Sequence, residues 1–337
     1  MKHIAVAASL LLSLSAGHGK LAAEPKFSSS HDKVSADAGD QRNFSIHVAA
    51  GDWGNAQPEE IETLLNDITA EMLTHFPGRR LAPIEVLPTR RAPVVLYQKG
   101  PANQYQVYLA AKGRSWGEYI YEFSHELFHI LSNYENHAPP GEAHHQWFEE
   151  MMCEAVSLYN LKRMSLSWEV SAPRTEWALY APALNRFTQR ALNEPHRRLP
   201  ADISLAQWFR EHGQSLLGNP YLRAKNEMVA MLFLPLLEQN ADWSAVGFLN
   251  PPGARNTMNF YEHLADWYKN TPDAKRSFVV HTMNLFEFHI PATTAHASTT
   301  RQPRTDMAAS LASASDAAAS EVGAAGPPAN KFVISNP

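Results

Sequence analysis

A chain of 337 residues, 45% of them hydrophobic and eight of them Trp, carries enough apolar material for one large domain or two lobes around a shared cleft. Its formal charge of −5 gives no electrostatic footprint for nucleic acid. The only cysteine is Cys153, which excludes an internal disulfide.

The chain opens as a processing segment. Met1-Lys2-His3 is a short basic start, and Ile4 to Leu14 is apolar, long enough for a signal peptide and too short to span a membrane. Cleavage after Gly17 or Ala23 makes residues 1–23 a signal peptide, with export to the periplasm or beyond. No later run of eighteen apolar residues follows, so a soluble mature protein without stable membrane insertion is expected. Residues 24–40 are polar and read as a flexible leader.

A single domain is expected over 41–291, with an α/β lobe at 41–135 and a helical lobe at 136–291. Phe44 to Val48 alternates as a strand does, and Gly51 to Gly54 is a turn. Ile61, Leu64, Leu65, Ile68, Met72 and Leu73 mark a helix from Pro58 to Phe76, stopped by Pro77-Gly78. Ile84 to Leu87, Val94 to Tyr97 and Tyr105 to Leu109 are further strand candidates.

Between Glu118 and Tyr134 there is no Gly or Pro, and Ile120, Phe123, Leu127, Leu131 and Tyr134 recur at helical steps. Within that helix stands His125-Glu126-Leu127-Phe128-His129, an H-E-x-x-H pentapeptide. Residues one turn apart share a face, so both imidazoles can reach one metal ion, while Glu126 borders the same place and can hold a metal-bound water. A second helix begins after Ala138-Pro139-Pro140-Gly141 and carries Glu150 and Glu154 on one face. One carboxylate can complete the ligand set, and the other can accept the free N–H of a ligand histidine.

Beyond it, helical spacing covers Trp177 to Leu192, Ser204 to His212, Tyr221 to Gln239, Thr257 to Lys269 and Asp273 to Phe286. Residues 292–337 turn to Ala, Ser, Thr and Pro and read as a disordered tail.

H-E-x-x-H followed by Trp147-Phe148-Glu149-Glu150 resembles the gluzincin metallopeptidases, the thermolysin-like and aminopeptidase-like group with H-E-x-x-H and W-x-x-E motifs on neighbouring helices. The likeness covers about forty residues firmly; many members carry Gly after the ligand Glu, where this chain has Met151. It implies a zincin-like α+β fold: a small mixed sheet, a mostly helical lobe, and the zinc helix between them. It implies one zinc ion per chain, held by His125, His129 and Glu150, with Glu126 as general base and Glu154 behind a ligand histidine. It further implies a donor to the developing oxyanion from the helical lobe; Tyr221, His212, Tyr261 and His263 are available, Tyr221 being the most attractive. In such enzymes the strand before the zinc helix is often a sheet edge along which substrate lies; Tyr105 to Leu109 would be that edge or an ordinary interior strand.

The metzincin pattern fails, because Glu135 stands where a third His is needed and position 132 is not Gly. His144 and His145 remain available as ligands, or as a solvated flank of the second helix. Glu149 is one step off the face of Glu150 and reads as an exposed helix charge, and Cys153 as a small buried residue or a further metal ligand. The expected function is an exported zinc metallopeptidase acting on a peptide or protein substrate. The alternatives are a catalytically silent zinc-binding domain that recognises a peptide or cell-wall partner, and a hydrolase of non-peptide amides.

Overall fold

The computed structural model describes residues 43–136, 145–253 and 259–289. The expected signal peptide, leader and tail lie outside the described residues, as does His144. Four short strands, β1 (Ile46–Val48), β2 (Ile84–Pro88), β3 (Val94–Val95) and β4 (Tyr105–Leu109), form one sheet in the order β1-β2-β4-β3. β1, β2 and β4 are parallel, and β3 is antiparallel to β4. An edge position for Tyr105 to Leu109 is therefore incorrect. Val94 and Val95 pair with Tyr108 and Val107, which covers the outer side of β4 and makes β3 the edge.

Helix α1 (Pro58–Leu73) starts with Pro in its first turn, where a missing N–H costs nothing. The Glu60 carboxylate accepts from the Gln57 backbone N–H at 2.9 Å, which caps the same end. Ile61, Leu64, Leu65, Ile68 and Met72 are fully buried, on the face that α1 turns to β1 and α2.

Helix α2 (Trp116–Leu131) carries the pentapeptide, and every one of its residues except Glu118 is buried. A helix apolar on most sides belongs at the centre of a fold, and α2 packs between the sheet, α1 and α3. Asn133 ends it in the left-handed region, at φ 59°, a conformation Asn tolerates better than most residues. Its side chain donates to the Gly247 carbonyl at 2.7 Å and accepts from Arg79, so the stop is tied to the helical half of the chain.

Helix α3 (Gln146–Ser171) is longer than the sequence pattern suggests and runs antiparallel along α2. Two small polar contacts peg the register. Ser157 Oγ donates to the Tyr121 carbonyl at 2.9 Å, and Asn160 Nδ2 donates to Ser124 Oγ at 2.8 Å. That register sets Glu149 and Glu150 beside His129 and His125. Trp147 anchors the start of α3 by packing its ring on Phe209 and Phe260.

Among the described residues the chain then adds α4 (Ala181–Leu192), α5 (Leu205–Gly218), α6 (Arg223–Gln239), α7 (Phe260–Asn270) and α8 (Arg276–Leu285), joined by short 3-10 turns. The result is a mixed α+β fold, a four-stranded mixed sheet with eight α-helices. Tyr221 stands two residues before α6 instead of within it. Among the described residues no helix is long and apolar enough to cross a membrane.

Candidate metal centre

Helix α2 brings His125 and His129 together with ring centroids 5.1 Å apart. From α3, Glu150 turns its carboxylate toward both rings. Its Oε2 is 3.3 Å from His125 Nε2, and its Oε1 is 3.8 Å from His129 Nε2. Two donors about 2.0–2.1 Å from one ion at a tetrahedral angle stand about 3.3–3.4 Å apart. The observed spacings sit at or just above that value.

The polar accounting favours a cation here. His129 Nε2 and Glu126 Oε1 are buried and have no hydrogen-bond partner among the described residues. An orphaned buried donor or acceptor ordinarily costs about 1–3 kcal/mol, so such atoms call for an explanation. Glu126, Glu149 and Glu150 are all buried around two histidines. Burial alone would push His129 toward the neutral form; Cys153, Glu149 and Glu150 outweigh it and raise its pKa well above the usual range. An acidic, enclosed pocket that draws a proton onto histidine would equally draw a metal ion.

Glu126 lies within this cluster without facing it fully. Its Oε2 accepts from the Val95 backbone N–H at 2.8 Å, which holds the carboxyl against the edge strand. Its other oxygen is uncommitted. Burial raises the Glu126 pKa, and the neighbouring His125 and His129 oppose that rise. The uncommitted oxygen is where this carboxyl could take up a proton.

Two residues behave differently from their sequence readings. Glu149 is not an exposed charge; it is buried, and its Oε1 accepts from His129 Nδ1 and from Ser132 Oγ, both at 2.7 Å. Its Oε2 accepts from Asn250 Nδ2 at 2.9 Å. This fixes the His129 tautomer with the proton on Nδ1 and Nε2 free to bind a metal. Glu154 was expected behind a ligand histidine, but it makes no hydrogen bond to either one among the described residues. Its Oε1 accepts from Arg197 Nη1 at 2.7 Å and from the Tyr121 hydroxyl. Burial would raise its pKa; Arg197 and Tyr121 outweigh this, and the carboxylate is held below the usual range, with His125 contributing through space.

Cys153 offers another donor. Ligand atoms of His125, His129 and Cys153 lie within 4.8 Å of one another, all buried. Burial pushes the thiol pKa up and His129 opposes it; a bound metal would itself deprotonate a coordinating thiol, so Cys153 stays a candidate donor. Glu150, with carboxylate oxygens 3.3 and 3.8 Å from the two Nε2 atoms, is the other candidate for the third position.

Of the proposed oxyanion donors, Tyr221 is linked to this place by hydrogen bonds. Gln146 Nε2 donates to its hydroxyl at 3.0 Å and also lies 3.5 Å from Glu150 Oε1. His212 contacts Lys225 at 3.0 Å, and Tyr261 donates to the His289 carbonyl at 3.2 Å, both away from the centre. His263 and His145 pack against each other and Phe260 in an aromatic cluster.

Glu149, Ser132, Asn250 and Arg197 are the contributors that motif reading missed. The one local signal lay in α3 itself: Trp147 to Leu161 is buried at every position, so no polar residue there could be assigned to a solvent face. No protein-family model, curated protein or solved structure matches this chain.

Proposed function

We propose that this chain is an exported zinc-dependent hydrolase of peptide bonds, of the gluzincin kind, with His125, His129 and Glu150 holding one zinc ion. The observation that carries this reading is the convergence of both Nε2 atoms on one carboxylate, at 3.3 and 3.8 Å, beside the uncommitted oxygen of Glu126. Zinc, when bound, would supply a Lewis acid and a water made acidic enough to lose a proton near neutral pH. Glu126 would take that proton on Oε1 while the Val95 N–H steadies Oε2, and would then deliver it to the departing amine nitrogen. Glu149 would keep His129 oriented, and Tyr221 would donate to the carbonyl oxygen as charge grows on it. The apolar stretch after Lys2 supports export.

The test is zinc analysis of the purified protein beside hydrolysis of a quenched fluorogenic peptide library. About one zinc per chain is expected, with turnover. Glu126→Gln should keep the zinc and lose about 10²–10⁴ in rate, because the amide hydrogen-bonds but takes up no proton. A Glu126→Gln variant that cleaves at the parental rate would remove the centre of this reading.

A second reading has its own support. Four protein donors make a closed, structural zinc site, and Cys153 stands close enough to His125 and His129 to share an ion with them. Cys153→Ser separates the two. Retained zinc and retained hydrolysis support the open, catalytic site, whereas loss of zinc supports a silent metal-binding domain.

A further inference from the structure

Immediately after β3, the chain holds Tyr97 by three consecutive backbone anchors. The Val95 N–H donates to Glu126 Oε2 at 2.8 Å, the Leu96 N–H donates to the Gln106 carbonyl at 3.0 Å, and the Leu96 carbonyl accepts from the Tyr134 hydroxyl. The Tyr97 ring packs on Tyr134 with centroids 5.3 Å apart, and Tyr134 packs on His129 at 6.1 Å. The phenol thus stands one aromatic ring away from a metal-facing histidine.

The groups within electrostatic reach of its hydroxyl are Glu149, His129, Tyr221 and Glu150. Tyr221 senses Glu150, His129 and Glu149 in turn. Two phenols, one borne by the sheet edge and one by the segment before α6, therefore address the same donor set. Tyr97 is half-buried, and its hydroxyl makes no hydrogen bond among the described residues. An anchored phenol with an unspent donor, beside a cluster of metal-ligating groups, is placed for a ligand.

We infer that Tyr97 is a substrate-contacting residue, which donates its O–H to the carbonyl oxygen of a bound amide alongside Tyr221. The inference rests on the hydrolase reading above. No proton leaves Tyr97; the hydrogen bond strengthens as the oxygen becomes more negative, which stabilises the transition state more than the bound substrate. Burial and the facing carboxylates raise the phenol's pKa, so it remains a donor throughout the neutral range.

The experiment compares Tyr97→Phe, Tyr221→Phe and the double variant, as full-length zinc-loaded protein, on the fluorogenic peptide library. Zinc stoichiometry and melting temperature are measured in parallel. Removing one pre-positioned oxyanion donor costs about 10²–10³ in kcat; with a second phenol left in place, Tyr97→Phe should lose at least about tenfold in kcat, with little change in KM. The double variant should lose more than either single one, and zinc and melting temperature should stay at parental values. Parental kcat in Tyr97→Phe, or a change confined to KM, overturns the inference. So does a fall in kcat that tracks loss of zinc or of stability, which would make Tyr97 a packing support for Tyr134 and His129. If the parent protein binds zinc and cleaves nothing, the hydrolase reading itself fails, and Tyr97's role with it; if the parent cleaves and Tyr97→Phe matches it, only the role of Tyr97 falls.

Discussion

Glu149 and Glu154 lie five residues apart on one helix, both buried, and the protein uses them in opposite ways. Glu149 accepts from Ser132 and Asn250 and from the His129 ring. Glu154 is matched to a cation. Arg197 reaches it at 2.7 Å and reaches Glu227 at 3.3 Å, and Arg223 and His196 close the network on Glu227. A carboxylate whose charge is already compensated by guanidinium has little left to raise the basicity of a histidine. One that accepts from a ligand histidine can steady that ring and raise its basicity. The difference teaches that a partner set, not position on a helix, decides whether a buried acid serves a metal site or the fold.

The largest expected effect lies on the Glu154 side. Glu154→Gln removes one member of a buried ion network and leaves Arg197 with Glu227 alone. Breaking a buried pair typically costs about 3–5 kcal/mol, and the surviving partner puts this case near the lower end. Denaturant unfolding of the metal-free protein should show that loss, while zinc affinity changes by less than about tenfold. A large loss of zinc affinity with unchanged stability would reverse the two roles.

Next in size is Glu149→Gln. An outer partner of a ligand histidine typically contributes 10–100-fold in metal affinity, so chelator competition should show weaker zinc binding in that range. Excess zinc should restore hydrolysis to Glu149→Gln and none to Glu126→Gln. Failure of excess zinc to restore activity would mean that Glu149 does more than hold His129.

Asn250→Ala should act in the same direction with less force. It deletes the hydrogen bonds to the Glu149 carboxylate and to the Ser132 carbonyl; the first, at the low end for a charged acceptor, is worth about 1.5 kcal/mol, or about tenfold in zinc affinity. An effect as large as that of Glu149→Gln would show that the loop around Asn250, and not the carboxylate, orients His129.

A pH dependence away from both acids extends the comparison to a third buried carboxyl. Glu122, one turn before His125, accepts from the Ala110 and Ala111 N–H groups at 2.8 and 2.9 Å and ties the end of β4 to α2. Burial raises its pKa to about 7, against the pull of those two N–H groups. A carboxyl whose pKa is higher in the folded than in the unfolded state contributes stability below the unfolded value, near 4.5, and loses it as pH rises through about 7. The parent should therefore lose stability between those values relative to Glu122→Gln, and the gap should stay constant above. Parallel stability curves for the two proteins would show that Glu122 is not strained at neutral pH.

Much of the centre was legible before folding. The period of Ile120, Phe123, Leu127 and Leu131 marks α2, and the four-residue step from His125 to His129 follows from helix geometry alone. Glu149 was misread because amphipathic reasoning needs a solvent side, and α3 has none from Trp147 to Leu161. The interior place of β4 was equally hidden, since an alternating strand looks the same whether its neighbour on one side is water or Val94 and Val95.

By itself, then, the sequence determined the local chemistry: two histidines and a glutamate on one turn of helix, and a run of acids on a second helix. Those follow from backbone periodicity, which depends only on near neighbours. Tertiary structure decided which acid meets which partner. Asn250 reaches Glu149 across 101 positions, Arg197 reaches Glu154 across 43, and the strand amide of Val95 reaches Glu126 across 31. Such pairings depend on how helices and strands seat against one another, through pegs such as Ser157 on the Tyr121 carbonyl, and no spacing in the chain records them.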